Sequence, residues 1–233
     1  KTWDDSAAYV REAWNRFEAY SQMFGYRRPI VRGEGGVAEG SGAGSTGPQQ
    51  ACLADRSVCP GIDHVLTYYH KKVWAHVGLP GYSGDGEWYS RIADADAPPQ
   101  IHDVYGAYGR FVQGEPLSNG DYAPVGTDRG GEQQIRVSDI VSGSLRAWGL
   151  RDSIAGRMLL WVDNADHTWW SVARGVSIPP ATATLLLRAK PNATYTLERW
   201  NTVDGRHTDS LVVTASSNGV LSIPVLGLKT DLA

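Results

Sequence analysis

The stretch that decides the predicted fold is RRPIVRGEGG, residues 27–36. Its apolar centre, residues 29–31, predicts a short strand that ends on the carboxylate of Glu34. Glycines on both sides of Glu34 permit tight turns and the close approach of a ligand to the backbone. Barrel enzymes often present catalytic groups at strand ends in this way, so Glu34 is a candidate catalytic residue. Arg32 lies two residues earlier on the same strand face, where its charge would keep the Glu34 carboxylate ionised.

Helical patterns surround this strand. Apolar residues recur at three- and four-residue steps in residues 6–24, 63–77 and 100–113, which predicts three helices. A second short strand is predicted at residues 86–90. The order helix, strand, helix, strand, helix predicts an α/β fold that forms the closing part of a (β/α)8 barrel.

The pattern of the chain changes after residue 113. Residues 114–134 are rich in Gly, Pro and Asp and are predicted to be a linker. Residues 135–233 contain short alternating runs separated by turn residues, which predicts an antiparallel β-sandwich of about seven strands. The runs include RMLLWVDN, HTWWSVA, ATLLLRA, TYTLERWN and SLVVTAS. The predicted domains are therefore a barrel part at 1–113 and a β-sandwich at 135–233, joined by the linker.

Composition restricts the possible partners. The net charge of the 233 residues is -3, so no basic field exists to attract nucleic acid or an anionic membrane. No apolar run is long enough to predict a membrane span. The loop at 35–61 lacks the Lys of a phosphate-binding loop, and no cofactor is expected. Nine Trp and eleven Tyr against three Phe suit contacts with sugar rings, although core packing is the alternative interpretation.

The two cysteines indicate the cellular compartment in which the protein is expected to work. Cys52 and Cys59 are separated by six residues, which favours a small disulfide loop over two free thiols. A disulfide predicts an exported, extracellular protein. The spacing of His70, His76 and His102 does not indicate a metal site, so no metal is expected. The chain begins at Lys1 without an initiator Met, which is expected of a processed product or a fragment.

An ordered series of segments carries a family resemblance. After the strand that ends at Glu34 come HKKVWAHVGLPGYSGDGEWYS (70–90), RMLLWVDNADHTWW (157–170) and TYTLERWNTVDG (194–205). This order resembles the C-terminal part of secreted (β/α)8-barrel retaining glycoside hydrolases that use two glutamates and carry a C-terminal β-sandwich. The resemblance implies that Glu34 is the nucleophile. It also implies that Trp88 or Tyr89 forms the floor of a sugar subsite.

One catalytic group of that family is not matched. Its acid/base glutamate usually follows an Asn, and this chain contains no Asn-Glu dipeptide. The resemblance therefore implies that an N-terminal companion segment or chain completes the barrel and supplies the acid/base, and that this chain alone is inactive. Asp85 and Glu87 flank Gly86 and are candidates to bind sugar hydroxyls or, less readily, to supply the second carboxyl group. The alternative is that they belong to a solvated loop.

Two functions of different classes follow from these observations. The first is a secreted retaining glycoside hydrolase that acts on a poly- or oligosaccharide. The alternative is a non-catalytic extracellular structural or carbohydrate-binding protein on a hydrolase-like scaffold, because a fold does not determine a function. Five tryptophans of the second domain invite a carbohydrate-binding interpretation, but core packing is favoured for them: Trp148, Trp161, Trp169, Trp170 and Trp200. In an extended segment, Trp169 and Trp170 would point to opposite faces.

Overall fold

The structure is a computed structural model, and it describes residues 4–25, 64–79, 100–117 and 119–233. The strands predicted at 29–33 and 86–90 lie outside the described residues. The chain divides into two compact units. The first comprises Lys1–His76, Gly81–Gly106 and Thr168–Ser177, and the second Val77–Pro80, Ala107–His167 and Ile178–Ala233.

Helix α1, Ser6–Phe24, belongs to the first unit and carries a side-chain cap at its start. The carboxylate of Asp5 accepts hydrogen bonds from the backbone N–H groups of Ala7 and Ala8, at 3.1 and 3.2 Å. These bonds satisfy two of the amide groups that a helix leaves without an internal partner. The helix ends at Gly25, whose positive φ of 66° suits a residue without a Cβ atom.

Helix α2, His64–Trp74, packs against α1 and continues as a 3-10 turn, Ala75–Gly78. The hydroxyl of Ser6 donates a hydrogen bond to the carbonyl oxygen of Tyr68 at 2.8 Å, which joins the start of α1 to α2. Because both residues are buried, this bond fixes the position of one helix along the other.

The run HTWWSVA, predicted as a strand, forms the short helix α4 at Trp169–Ala173 instead. Thr168 explains the difference, since its hydroxyl accepts a hydrogen bond from the backbone N–H of Ser171 at 3.0 Å and caps a helical turn. The ring of Trp169 then meets the ring of Tyr68 edge to face, with centroids 6.1 Å apart. Apolar periodicity over so few residues does not separate a strand from one helical turn.

The second unit consists mainly of antiparallel strands, preceded by the end of helix α3, Gln100–Phe111. The described residues form three sheets, in the orders β1-β3-β4-β9, β2-β5-β8 and β6-β7. The strands are β1 Tyr122–Gly126, β2 Arg136–Ser142, β3 Leu145–Asp152, β4 Arg157–Asn164, β5 Ala181–Arg188, β6 Thr194–Asn201, β7 Arg206–Thr214, β8 Val220–Leu228 and β9 Asp231–Leu232.

All three sheets contribute to one hydrophobic core. In β5, every second residue from Ala181 to Leu187 is buried, which is the two-residue period of a strand with one inward face. Val162 of β4 joins this core, and Tyr195 and Leu197 of β6 pack against it. The alternation of the sequence in β5 therefore agrees with the face of that strand that is buried.

The predicted fold class, α/β with the closing part of a (β/α)8 barrel followed by a β-sandwich, is wrong. The pairs between named strands in the described residues are all antiparallel, and no closing part of a barrel is evident among these residues. The helices predicted at 6–24, 63–77 and 100–113 are present with nearly these bounds. Periodicity identifies a helix but not the surface it packs on, and here α2 packs on α1 and α4.

A close approach within the second unit leads to a prediction about Gly205. This glycine has a φ of 63°, and a Cβ atom built on it would lie 2.4 Å from the carbonyl oxygen of Ala107 in α3. We expect Gly205→Ala to lower the free energy of unfolding by about 2–4 kcal/mol, because left-handed strain adds to a steric clash. Gly156→Ala is the matched control, since its φ is 69° and no atom lies within 4 Å of the added Cβ.

Urea denaturation of the two variants measures the difference between them. Gly156→Ala is expected to lose only about 1–2 kcal/mol, the cost of the positive φ. An equal loss in the two variants would show that the contact between Gly205 and Ala107 does not constrain this turn.

Candidate functional site

The residues predicted from the sequence to form the catalytic site lie outside the described residues, as does the predicted disulfide. They remain predictions. They are Glu34, Arg32, Trp88, Tyr89, Asp85, Glu87, Cys52 and Cys59. The described residues nevertheless contain two features that bear on function, both in the second unit. One is a buried cluster of tryptophan, arginine and aspartate, and the other is an apolar cavity between strands.

The buried cluster begins with two tryptophans on neighbouring strands. Trp148 of β3 lies directly opposite Trp161 of β4, and their ring centroids are 5.7 Å apart. The guanidinium carbon of Arg146 lies 4.8 Å from the centroid of the Trp148 ring, which is the distance of a cation–π contact. Both indole rings are therefore in contact with the protein's own side chains, at exposures of only 5% and 0%.

Two aspartates complete the cluster. Asp163 is fully buried, and its carboxylate accepts a hydrogen bond from Nε of Arg146 at 2.6 Å. Asp231 of β9 lies opposite Asp163 in the strand register and accepts a hydrogen bond from Nε1 of Trp161 at 2.6 Å. The cluster therefore fastens the short strand β9 to β4, which is a structural role.

Asn164 reinforces the same strand junction. Its fully buried amide donates hydrogen bonds to the carbonyl oxygens of Pro179, Leu228 and Lys229, at 2.9, 3.2 and 3.2 Å. One side chain thus holds the segments that lead into β5 and β9. A buried amide with these partners is stabilising because its donors are satisfied away from water.

The remaining tryptophans differ in exposure. Trp169 is buried, so core packing is confirmed for it as for Trp148 and Trp161. Trp170 is half-buried beneath the guanidinium of Arg174, at 5.6 Å from the ring centroid. Trp200 is also half-buried, between the rings of Phe111 and His207, at 5.8 and 5.9 Å.

The cavity lies between the sheet that contains β4 and the strands β5 to β8, and its volume is about 1360 Å³. Its walls are mainly apolar and include Met158, Leu160, Leu197 and Val213. Met158 and Leu160 are only partly buried although they pack against the core. The second unit therefore presents an open apolar space beside its core.

Polar groups form part of the cavity wall. Glu115 accepts a hydrogen bond from the hydroxyl of Tyr122 at 2.8 Å and contacts Arg157 at 3.3 Å. Burial and the hydrogen bond to Glu115 raise the pKa of Tyr122 to about 12. The Tyr122 hydroxyl therefore stays protonated at neutral pH, and its role here is to hold Glu115.

In the part of the chain that the structure describes, no group of three or more His, Cys, Asp or Glu side chains has the geometry to hold a metal ion. The ring of His70 lies 6.3 Å from that of Trp74, and Nδ1 of His76 lies 3.1 Å from the carbonyl oxygen of Val73. Among these same residues, no helix has the length and apolar character needed to cross a membrane.

Comparison with known proteins gives no relative. No protein-family model matches the chain, and neither do any curated protein or any solved structure. The function proposed for it therefore depends on the residues of this chain alone.

Proposed function

We propose that the chain is part of a secreted retaining glycoside hydrolase that acts on a poly- or oligosaccharide, with Glu34 as the nucleophile. The observation that carries the proposal is the sequence RRPIVRGEGG, in which a carboxylate follows a short apolar run and is flanked by glycines. Arg32 supports the assignment because a nearby positive charge keeps a carboxylate ionised and nucleophilic. The proposal concerns the chemistry of Glu34 and involves no particular fold around it.

The retaining reaction assigns roles to the other candidate residues. Its two carboxyl groups lie about 5–5.5 Å apart across the sugar, one attacking the anomeric carbon and one protonating the leaving oxygen. Glu34 performs the attack, and a companion segment or chain supplies the proton donor. Trp88 or Tyr89 stacks on the sugar ring, while Asp85 and Glu87 accept hydrogen bonds from its hydroxyl groups.

The second unit supports an accessory role beside this chemistry. The segments RMLLWVDN and TYTLERWN, which carry much of the resemblance, are the strands β4 and β6. Trp161 is buried in the strand cluster and Trp200 packs between two rings, so both contribute to the stability of the unit. Because these tryptophans serve packing, we assign the second unit an accessory role beside the catalytic part and no role in bond cleavage.

A mechanism-based label tests the proposal on the chain as it exists. A 2,4-dinitrophenyl 2-deoxy-2-fluoroglycoside has a leaving group that departs without protonation, so the acid/base group is not needed for the first step. The Glu34 carboxylate would attack the anomeric carbon, the C–O bond to dinitrophenolate would break, and a glycosyl ester would remain. A panel of α- and β-configured sugars identifies the sugar that reacts.

Intact-mass and peptide mass spectrometry measure the outcome. We expect the mass to increase by one fluoroglycosyl group, located on the peptide that contains Glu34. Glu39→Gln is the matched control, because Glu39 lies in the same Gly-rich segment and is not expected to react. Labelling of another carboxylate, or no labelling by any member of the panel, would contradict the proposal.

A second candidate function is a non-catalytic extracellular structural or carbohydrate-binding protein. The open apolar cavity beside β4 favours it, because such a surface suits assembly with another polypeptide. The labelling experiment distinguishes the two functions, because a non-catalytic protein forms no glycosyl ester. Sugar binding without labelling would support this second candidate.

A further inference from the structure

We propose that Asn192, in the second unit, is an acceptor for an N-linked glycan when the chain passes through a secretory pathway that attaches such glycans. The sugar donor would be an oligosaccharide carried on a lipid pyrophosphate. The proposal involves neither Glu34 nor glycosidase activity, so it and the proposed function can fail independently. It begins from the sequence of residues 192–194, Asn-Ala-Thr.

These three residues match the acceptor pattern for N-linked glycosylation, which is Asn, any residue except Pro, and then Ser or Thr. The pattern occurs once in the sequence. Residues 164–166, Asn-Ala-Asp, differ from it by the carboxylate in place of the hydroxyl. Because a short pattern also arises by chance, its position in the folded chain decides whether a glycan fits there.

The pattern begins in the turn between β5 and β6. The N–H of Ala193 donates a hydrogen bond to the carbonyl oxygen of Lys190 at 3.1 Å, which closes a turn with Pro191 and Asn192 at its centre. The φ of Asn192 is 56°. A proline followed by a residue with positive φ is the type II turn, and Asn tolerates this conformation. The N–H of Asn192 also donates to the carbonyl oxygen of Ser216 at 3.2 Å, so a second bond holds the turn.

The side chain of Asn192 is available for modification. Asn192 is exposed, and its carboxamide forms no hydrogen bond with the residues that the structure describes. A glycan on Nδ2 would therefore displace no contact of this part of the fold. Asn164 is the opposite case, because its buried amide donates to three carbonyl oxygens. A glycan there would remove buried hydrogen bonds.

The hydroxyl that completes the pattern is also exposed. Thr194 is the first residue of β6, and it lies opposite Thr214 of β7 in the strand register. The oxygen atoms of the two hydroxyls are 3.2 Å apart, which is a hydrogen bond between exposed groups. Such a bond contributes little to stability because water can replace it. Substitution of Thr194 therefore changes the acceptor pattern with little effect on folding.

The reaction forms one bond and breaks one. Nδ2 of Asn192 would attack the anomeric carbon of the first sugar of the donor. The bond between that carbon and the pyrophosphate oxygen would break, and the lipid pyrophosphate would leave with the bonding electrons. The amide would lose one proton to solvent. The product is an N-glycosidic bond, which adds a bulky, hydrophilic group at the protein surface.

Expression of the full chain in a eukaryotic secretory host tests the proposal. A cleavable secretion signal directs the chain into the pathway, and the chain from cells and medium is combined, so inefficient secretion does not affect the outcome. Peptide N-glycosidase in heavy-oxygen water converts a glycosylated asparagine into an aspartate that carries heavy oxygen. We expect the enzyme to lower the mass of the intact chain, and peptide mass spectrometry to locate the heavy oxygen at Asn192.

Three variants separate glycosylation from folding. Thr194→Ser keeps a hydroxyl at this position and is expected to keep the glycan, whereas Thr194→Ala is expected to lose it. Asn192→Asp removes the reacting amide and is expected to lose the glycan. Asp tolerates a positive φ as Asn does, so the turn remains possible in this variant. Thermal midpoints of the three variants, measured after enzymatic removal of glycans, establish that each is folded.

Four results would overturn the proposal. The first is a chain whose mass the enzyme does not change, and the second is heavy oxygen located at another asparagine. The third is a glycan that persists in Thr194→Ala. The fourth is a thermal midpoint that is lower for the glycosylated chain than for the deglycosylated one, because this would show that the folded turn does not accommodate the glycan.

Discussion

Replacing Glu34 by Gln is expected to lower the rate of dinitrophenolate release from an activated glycoside by more than about 10³-fold, because removal of a nucleophile eliminates the covalent step. The amide of Gln is neutral and attacks the anomeric carbon poorly. The substrate is the 2,4-dinitrophenyl glycoside of the sugar that labels Glu34, without the fluorine. Its leaving group departs without protonation, so the first release of dinitrophenolate is measurable although this chain alone is expected to be inactive on natural glycosides. Absorbance of the released dinitrophenolate measures the rate.

Azide provides the decisive control for this variant. In Glu34→Ala, the truncated side chain leaves space for azide, which would attack the anomeric carbon, expel dinitrophenolate and form a glycosyl azide of inverted configuration. We expect azide to restore release in Glu34→Ala and to have little effect on the unaltered chain. Glu39→Gln is expected to keep the original rate. A Glu34→Gln protein with undiminished activity would eliminate Glu34 as the nucleophile.

Replacing Arg146 by Met is expected to lower the free energy of unfolding by about 3–5 kcal/mol, because it removes the cation beside a buried carboxylate. Asp163 is fully buried and Arg146 is 13% exposed, with 2.6 Å between Nη2 and the carboxylate oxygen. The variant also loses the guanidinium contact with the ring of Trp148. Urea denaturation at neutral pH measures the change.

Two further variants show how much of the lost free energy of unfolding comes from leaving the Asp163 carboxylate buried without its cation, and how much from replacing any arginine by methionine. Arg199→Met removes the arginine of an exposed ion pair with Asp209, and its cost is expected to be about 0–1 kcal/mol. In Arg146→Met combined with Asp163→Leu, the carboxylate is also absent, so part of the lost stability is expected to return. A loss in Arg146→Met no larger than that in Arg199→Met would contradict the interpretation.

The helices were predicted from the sequence because their signals are local. The pattern at 6–24 agrees with α1, Ser6–Phe24, since an apolar stripe and the Asp5 and Gly25 caps all act within a few residues. The run HTWWSVA gave the wrong element because the cap at Thr168 outweighs the strand-like pattern of these seven residues. The prediction of a barrel was wrong for another reason. A barrel requires the helices to pack on a parallel sheet, and the sequence pattern of a helix does not indicate the surface on which it packs.

The buried ion pair of the second unit could not be predicted from the sequence, because it joins residues that are distant along the chain. Arg146 and Asp163 are polar residues in separate strands, and only the register of β3 against β4 places them opposite each other. Their alternation with apolar residues was a weak signal, since buried and exposed charges look alike in a sequence. The pairing of β9 with β4, and the backbone bonds of Ala233 to Trp200 of β6, likewise join distant segments, which no local pattern indicates.

The sequence by itself determined where the helices α1, α2 and α3 form and which face of β5 is apolar, and it predicts a glycine-flanked catalytic carboxylate at Glu34. These properties depend on neighbouring residues and on the periods of 3.6 and 2 along the chain. Only the tertiary structure decided that the strands pair antiparallel in three sheets, that Asp163 is buried beside Arg146, and that Asp231 of β9 lies beside Asp163 of β4. These features arise from pairing between distant segments, which the register of the sheets sets.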